Sequence, residues 1–224
     1  MTSAPSTSGR KRTAILVSGR GSNMTALLSA AADPAYPADI VAVIANVPDA
    51  PALDKARAAG IEALAVSHRG QGGRQAFEEK LDAELRNRNV DLVCLAGFMR
   101  ILTPWFVERW HDRLLNIHPA LLPAFKGLDT HARALAEGCR LHGATVHFVR
   151  PEMDAGPIIA QGAVAVLDED TPATLGARVL EVEHRIYPQA LALVAADAFE
   201  IDGMRVRLKS GADAAQAPLI APKG

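Results

Sequence analysis

Short runs of apolar residues recur through the first half of the chain and alternate with segments of mixed polarity. Four runs occupy residues 14–17, 40–45, 61–66 and 90–96, and the second is rich in β-branched side chains. The fourth run is continuous rather than alternating, which is typical of a strand covered on both faces. The pattern therefore predicts four buried strands.

Helical patterns fill the spaces between these runs. One follows residue 23, a second covers residues 53–59 and ends at Gly60, and a third covers residues 73–87. Glycine is favoured just beyond a helix C-terminus, so Gly60 agrees with the second boundary. Alternating strands and helices predict an α/β protein with a mostly parallel, doubly wound sheet and a Rossmann-like N-terminal half.

The second half of the chain has a different pattern. Two strand-like segments, 145–149 and 158–166, flank the polar turn 151–157, and a long helix at 174–196 follows. No internal repeat or low-complexity linker separates the halves. We expect one continuous sheet with a functional site in the cleft between the halves.

Composition and charge exclude several classes of protein. The 224 residues are 49% hydrophobic and 22% charged, which is ordinary for a globular domain. A formal net charge of -1 gives no electrostatic reason to expect a nucleic acid or an anionic membrane as partner. Cys94 and Cys139 are too few for a disulfide framework and indicate reduced thiols of a cytoplasmic protein.

The two ends of the chain lack the patterns of the middle. Residues 1–12 are rich in Ser, Thr and Pro without the apolar core of a secretory signal, and residues 210–224 are unpatterned. No run approaches the roughly 18 apolar residues of a membrane span. We predict a disordered tail at 1–12, one domain at 13–201, and a C-terminal tail at 202–224.

A glycine-rich turn joins the first strand to the first helix. The segment SGRGSN at 18–23 places Gly19 and Gly21 where backbone N–H groups point outward at a helix N-terminus, which favours an anion. Ser22 and Asn23 add side-chain donors. The motif lacks the features of the dinucleotide fingerprint and the Walker A loop, so it indicates one phosphate on a small metabolite. An ordinary tight turn with a serine cap is the alternative.

An amide, an imidazole and a distant carboxylate form the second candidate site. Asn116 and His118 are two residues apart in an apolar segment, so an extended chain directs both side chains to one face. Pro119 ends the strand at its C-terminal edge, and the turn that contains Asp154 returns a carboxylate to the same cleft. These groups can stabilise an oxyanion, carry a proton and favour the protonated imidazole.

Each of these residues also has an ordinary structural explanation. Asn116 could cap a turn, His118 could be a buried, hydrogen-bonded histidine, and Asp154 could belong to an Asx turn. The remaining histidines of the second half lack the spacing of a zinc motif, so we expect no metal site.

Six segments, in this order, resemble those of the folate-dependent phosphoribosylglycinamide formyltransferase family. They are SGRGSN at 18–23, LAGFMRIL at 95–102, LLNIHP at 114–119 with LLP at 121–123, HGATVH at 142–147, DAGPI at 154–158 and EHRIYP at 183–188. The matches extend across residues 13–201, and six modest motifs in order outweigh the ordinary explanations of the single residues.

The resemblance implies a formyltransferase fold with a nucleotide-binding N-terminal half and a folate-binding C-terminal half. It assigns Gly21, Ser22 and Asn23 to the phosphate of glycinamide ribonucleotide and Glu183 to the ribose hydroxyls. The implied folate contacts are Arg74, Met99, Arg100, Ile101, Leu102, Asn116, Arg150, Pro151, Glu152, Met153 and Asp154. Arg20 and Asp129 receive no role.

The implied reaction is direct transfer of the formyl group of 10-formyltetrahydrofolate to the amine of the ribonucleotide, in purine biosynthesis. Asn116 and protonated His118 would stabilise the oxyanion by about 3–4 kcal/mol per well-placed donor. Asp154 would keep the imidazole protonated near neutral pH. The resemblance implies small-molecule substrates and a monomer or homodimer, with no nucleic acid, membrane or metal.

Three rival functions differ in other features. A formyltetrahydrofolate deformylase usually carries an extra N-terminal regulatory domain, and about twelve residues precede the first predicted strand here. Methionyl-tRNA formyltransferase adds a C-terminal nucleic-acid-binding domain, and the segment after Ile201 is neither long nor basic enough to serve as one. A non-catalytic nucleotide or folate binder would not require His118 and Asp154.

Overall fold

The computed structural model describes residues 9–70, 72–209 and 221. Fifteen elements follow one another: β1 Lys11–Val17, α1 Ser22–Ala31, β2 Ala38–Ala45, α2 Pro51–Ala58, β3 Ala63–Ala65, α3 Arg74–Asn87, β4 Leu92–Leu95, α4 Pro104–Arg109, β5 Leu114–His118, α5 Thr130–Ala136, β6 Leu141–Phe148, β7 Ile158–Ala165, α6 Pro172–Ala195, β8 Phe199–Asp202 and β9 Arg205–Leu208. None of the described helices is long and apolar enough to cross a membrane.

All nine strands form one sheet, in the order β3-β2-β1-β4-β5-β6-β7-β9-β8. The first five strands are parallel to one another, and β6 is antiparallel to both β5 and β7. Parallel neighbours require a crossover, which the helices between them provide. The predicted α/β fold with a mostly parallel, doubly wound N-terminal half is confirmed.

Helices cover both faces of the sheet, and alternate residues of each central strand belong to different cores. In β1, Ile15 and Val17 pack in the cluster that contains apolar residues of α1, α2 and α6. Ala14 and Leu16 pack in the other cluster, with apolar residues of α3 and α4. Because successive strand side chains point to opposite faces, burial on both sides explains the continuous apolar runs.

The predicted strands and helices of residues 14–96 are present, with boundaries that differ by a few residues. The predicted segments 145–149 and 158–166 overlap β6 and β7, and the predicted helix 174–196 overlaps α6. The pattern did not predict α4, α5, β8 or β9. These elements have four to seven residues, which is too short for a periodic pattern to become distinct.

The predicted domain limits need correction at both ends. β1 begins at Lys11, inside the predicted tail 1–12, because its first residues pair with the start of β2. The limit at 201 cuts through β8, and the hairpin of β8 and β9 joins the sheet where Ile158 pairs with Arg205. The domain therefore extends to Leu208. The rest of the predicted tails, at 1–8, 210–220 and 222–224, lies outside the described residues.

Candidate active site

The glycine turn after β1 forms one wall of a pocket at the carboxyl edge of the parallel strands. The pocket has a volume of about 240 Å³ and is lined by Ser18, Gly19, Arg20, Gly21, Ser22, Asn23, Ala96, Gly97 and Met99. α1 begins at Ser22, so its unpaired N–H groups lie at this pocket. Arg20 is the only charged residue among the described residues that line it. The site suits a small anion such as one phosphate.

Gly21 is required at its position for two physical reasons. Its φ of 71° and ψ of 39° are left-handed, which L side chains rarely adopt. A Cβ atom on Gly21 would also lie 2.7 Å from the Cβ of Ala52 at the start of α2. From the same helix, Lys55 Nζ donates a hydrogen bond of 2.8 Å to the Arg20 carbonyl. The turn is thus pressed closely against α2.

Asn23 and Glu183 meet beside this pocket although they are 160 residues apart in the chain. Asn23 Nδ2 donates a hydrogen bond of 2.5 Å to Glu183 Oε2, and both residues are 8% exposed. Burial raises the pKa of Glu183, while the Asn23 hydrogen bond lowers it by less. The Asn23 Oδ1 atom is buried without a hydrogen-bond partner among the described residues, which leaves an acceptor at the site.

Tyr187 fixes the position of α6, which carries Glu183. Its hydroxyl is fully buried and lies 2.9 Å from the Leu95 carbonyl and 3.3 Å from the Leu115 carbonyl. Those carbonyls belong to β4 and β5. Glu183 precedes Tyr187 by four residues, so both side chains lie on the same face of α6. The helix is therefore held against the strands that carry the catalytic candidates.

Asn116 lies on β5 and is oriented by His147 on β6. The two residues are opposite each other in the antiparallel pair, and Asn116 Nδ2 is 3.3 Å from His147 Nε2. His147 Nδ1 is 3.0 Å from the Phe148 carbonyl, which can only accept, so Nδ1 carries the hydrogen. Burial is the main cause that lowers the pKa of His147. Neutral His147 then accepts from Asn116, and the second amide hydrogen of Asn116 remains available.

His118 ends β5, and both of its ring nitrogens face acceptors. Its Nε2 is 2.9 Å from the Phe125 carbonyl, and its Nδ1 is 3.5 Å from Asp154 Oδ1. The side chain is 6% exposed. A neutral imidazole would direct a lone pair at one of these oxygens, whereas an imidazolium donates to both. Both ring nitrogens are thus directed at oxygen acceptors.

Asp154 reaches His118 from the turn between β6 and β7. Its φ of 47° is left-handed, a conformation that Asp tolerates better than most residues. Its Oδ2 accepts a hydrogen bond of 2.7 Å from the Gly127 N–H, so the carboxylate is held on one oxygen while the other faces the imidazole. The structure thus places His118 and Asp154 side by side, with Asn116 two residues before His118 on the same strand.

The predicted folate residues in the segment after β4 differ in how far their side chains are exposed. Met99 and Ile101 are 68% and 60% exposed, beside the pocket or near it. Leu102 is 6% exposed and packs in the core with Phe98 and Phe106, because the chain turns into α4 there. A folate contact at Leu102 would therefore come from its backbone, not from its side chain.

Arg74 and Arg100 lie at one end of α3. The Arg100 guanidinium is 5.4 Å from the ring centroid of Phe77, and its Nε is buried without a hydrogen-bond partner among the described residues. Arg74 is the exposed first residue of α3, one turn before Phe77. Two cations at this position suit an acidic group on a ligand.

Arg150 is directed away from the proposed folate cleft. Its guanidinium is 2.5 Å from Asp112 Oδ1, before the first residue of β5, while His118 is the last residue of that strand. This ion pair occupies the Arg150 guanidinium, so the predicted folate contact of Arg150 would come from its backbone. In the same turn Pro151, Glu152 and Met153 are exposed, and Glu152 pairs with Lys126 at 3.2 Å.

Sequence reasoning missed the groups that orient the three catalytic candidates. The Phe125 carbonyl and the Gly127 N–H are backbone atoms, which every residue type possesses, so no motif indicates them. His147 stood in a recognised motif but had no assigned role. Among residues 9–70, 72–209 and 221, no group of three or more His, Cys, Asp or Glu residues could hold a metal.

Comparisons with known proteins agree with this geometry. A family model described as formyl transferase matches residues 11–191. Phosphoribosylglycinamide formyltransferase of Escherichia coli (strain K12) is 44% identical over 174 residues, which are 78% of this chain and 82% of that protein. The family match over residues 11–191 includes every residue of the two candidate sites described above.

Two further relatives differ in length. Trifunctional purine biosynthetic protein adenosine-3 of Homo sapiens is 46% identical over 192 residues, and this chain spans only 19% of that protein. The crystal structure of glycinamide ribonucleotide transformylase 1 from Symbiobacterium toebii has a TM-score of 0.87 at 43% identity, covering 89% of this chain and 94% of that chain. The fold is thus shared along nearly the whole described chain.

Proposed function

Because the chain belongs to the formyl transferase family, we propose that it transfers the formyl group of 10-formyltetrahydrofolate to the amine of glycinamide ribonucleotide. The products are formylglycinamide ribonucleotide and tetrahydrofolate, in purine biosynthesis. One observation carries the proposal: Asn116, His118 and Asp154 meet at the edge of the sheet that also holds the anion pocket. The names of the relatives supply the substrate pair.

The glycine turn and α6 suit the ribonucleotide. The N–H groups at the start of α1 would bind its phosphate, with the charge of Arg20 beside them. Glu183 would accept hydrogen bonds from the ribose hydroxyls, since its carboxylate lies next to Asn23 at this pocket. This arrangement directs the amine of the substrate toward β5, where the reacting groups are.

In the proposed reaction the amine nitrogen attacks the formyl carbon, and its oxygen gains a negative charge. The available N–H of Asn116 would donate to that oxygen, and the imidazolium of His118 would stabilise it by charge. The carbon–nitrogen bond to the folate then breaks, and the proton of the amine passes to the departing nitrogen through water. Asp154 holds the positive charge of His118 in place throughout.

The folate would occupy the exposed apolar segment after β4 and the turn that carries Asp154. Met99 and Ile101 supply uncovered apolar surface, and Met153 adds more from the opposite turn, since it is 51% exposed. Arg74 and Arg100 would face the acidic tail of the folate. We also propose a cytoplasmic enzyme, because its two cysteines are free thiols, which suit a reducing compartment.

The first experiment measures tetrahydrofolate release from 10-formyltetrahydrofolate, with and without glycinamide ribonucleotide. We expect release that depends on the ribonucleotide and that His118→Ala reduces by about 100-fold or more. Release without the ribonucleotide would instead identify a deformylase. Thermal stabilisation by the ribonucleotide without any release would identify a non-catalytic binder.

A further inference from the structure

The hydroxyl group of Ser18 lies between the glycine turn and the segment after β4. Met99 N–H donates a hydrogen bond of 2.8 Å to Ser18 Oγ, and Ser18 N–H donates one of 3.2 Å to the Gly97 carbonyl. These two bonds join one residue of the phosphate pocket to both ends of a three-residue turn. Ser18, Gly97 and Met99 all line the same pocket.

The hydrogen-bond direction at Ser18 is fixed by its neighbours. Because Ser18 Oγ accepts from Met99, its own hydrogen is directed to Asn46 Oδ1, which is 2.6 Å away. Asn46 is 3% exposed, and its backbone donates to the Val17 carbonyl and accepts from His68 Nδ1 at 2.9 Å. The two hydrogen bonds from Met99 to Ser18 and from Ser18 to Asn46 therefore end at Asn46 Oδ1, and the backbone contacts of Asn46 hold this acceptor in place. Hydrogen bonds in such a chain strengthen one another.

Of the three residues in the turn that Ser18 holds, only Phe98 packs its side chain in the core. Met99 is 68% exposed, and Gly97 has a φ of 71°, which a side chain would strain. Backbone hydrogen bonds then fix the two ends of the turn, at Gly97 and Met99. Without the Ser18 hydroxyl, the Met99 N–H and the buried Asn46 Oδ1 would both lose their partner, and an unpaired buried polar group is costly.

We propose that Ser18 is a positioning residue that sets the folate-facing turn 97–99 against the phosphate pocket. The inference rests on the proposed function and identifies what keeps the two substrate sites in a fixed position relative to each other. Ser18 acts through the backbone of Met99 and not by contact with the phosphate, since its single hydroxyl hydrogen is used by Asn46. Its loss should therefore weaken the binding of the folate and leave the binding of the phosphate nearly unchanged.

The test measures binding of tetrahydrofolate and of ribose 5-phosphate by calorimetry, so it does not depend on turnover. For Ser18→Ala we expect about tenfold weaker tetrahydrofolate binding and less than about twofold change for ribose 5-phosphate. Ser18→Thr keeps the hydroxyl and should restore the affinity, and Ser18→Cys should be intermediate because a thiol is a weak acceptor. Ser29→Ala, on the exposed face of α1, is the matched control.

The outcomes separate this proposal from the proposed function. Equal losses for both ligands, or no loss for tetrahydrofolate, would overturn the role of Ser18. If Ser18→Ala does not fold, wild-type affinity in Ser18→Cys would overturn it equally. Wild-type protein that binds tetrahydrofolate but transfers nothing to glycinamide ribonucleotide would overturn the proposed function alone, while no tetrahydrofolate binding would overturn both.

Discussion

At the scale of single residues, the candidate catalytic groups differ in which of their polar atoms already have a hydrogen-bond or ion-pair partner. One amide hydrogen of Asn116 is directed at His147 and the other remains available, while each ring nitrogen of His118 lies near an oxygen acceptor. Asp154 is held by the Gly127 N–H through one oxygen only. Hydrogen-bond donors are therefore in place before negative charge develops on a ligand, which is the arrangement that stabilises such a charge.

Asp154→Asn should reduce turnover by about 100-fold with KM values for both substrates within about threefold, since it removes only charge beside the imidazole. An amide oxygen can still accept from Gly127, so the turn should keep its shape. Steady-state kinetics of the purified variant measures this. Asp129→Asn is a matched control, because Asp129 is also left-handed, at φ 55°, and its side chain makes no cap hydrogen bond. Near-normal turnover of Asp154→Asn would contradict the assigned role.

At the scale of elements, α6 connects the two halves of the site. It extends over 24 residues, packs against α1 and the sheet, and carries both Glu183 and Tyr187. Burial is the main cause that raises the pKa of Tyr187 well above its usual value, so its hydroxyl remains a neutral donor. The Tyr187 hydroxyl links this helix to the ends of β4 and β5.

Tyr187→Phe should lower the free energy of unfolding by about 1–3 kcal/mol, because it leaves buried carbonyls without their donor. Urea denaturation at neutral pH would measure the loss. Tyr36→Phe makes the same chemical change at a half-buried hydroxyl that donates 2.6 Å to the Pro188 carbonyl. We expect a smaller effect there, because water can replace the hydroxyl. Equal losses in the two variants would argue against a special role of Tyr187.

At the scale of the whole molecule, several histidines are buried in the neutral form. Burial lowers the pKa of His142 to about 4, with a smaller contribution from His131, whose Nδ1 is 3.2 Å from His142 Nε2. The ring of His142 also hydrogen bonds the Pro119 carbonyl and packs edge-on against Phe125. Burial lowers the pKa of His131 and His147 as well.

The stability of the fold should therefore decrease as the pH falls from about 6.5 to about 4. In this range the unfolded chain binds protons at these histidines while the folded chain does not, so acid favours unfolding. One such histidine contributes at most about 1.4 kcal/mol per pH unit. Urea denaturation of wild type and His142→Gln at several pH values would measure the slope, with the exposed His111→Gln as control. A slope unchanged in His142→Gln would contradict the prediction.

The sequence by itself determined the parts that depend on local pattern and residue type. Apolar runs with helical segments between them predicted the doubly wound half, because burial on both faces leaves continuous apolar strands. Glycines at 19 and 21 predicted the anion turn, and the spacing of Asn116 and His118 placed both on one face of β5. These signals are short-range, so they require no knowledge of the packing.

Only the tertiary structure decided which distant groups meet. The Asn23–Glu183 pair joins residues 160 positions apart, and the partners of His118 include the carbonyl of Phe125. Arg150 turned out to pair with Asp112, and β8 and β9 extended the domain past residue 201. Backbone groups are the same in every residue, and long-range contacts depend on how the elements pack. Neither leaves a signal in the local pattern of the chain.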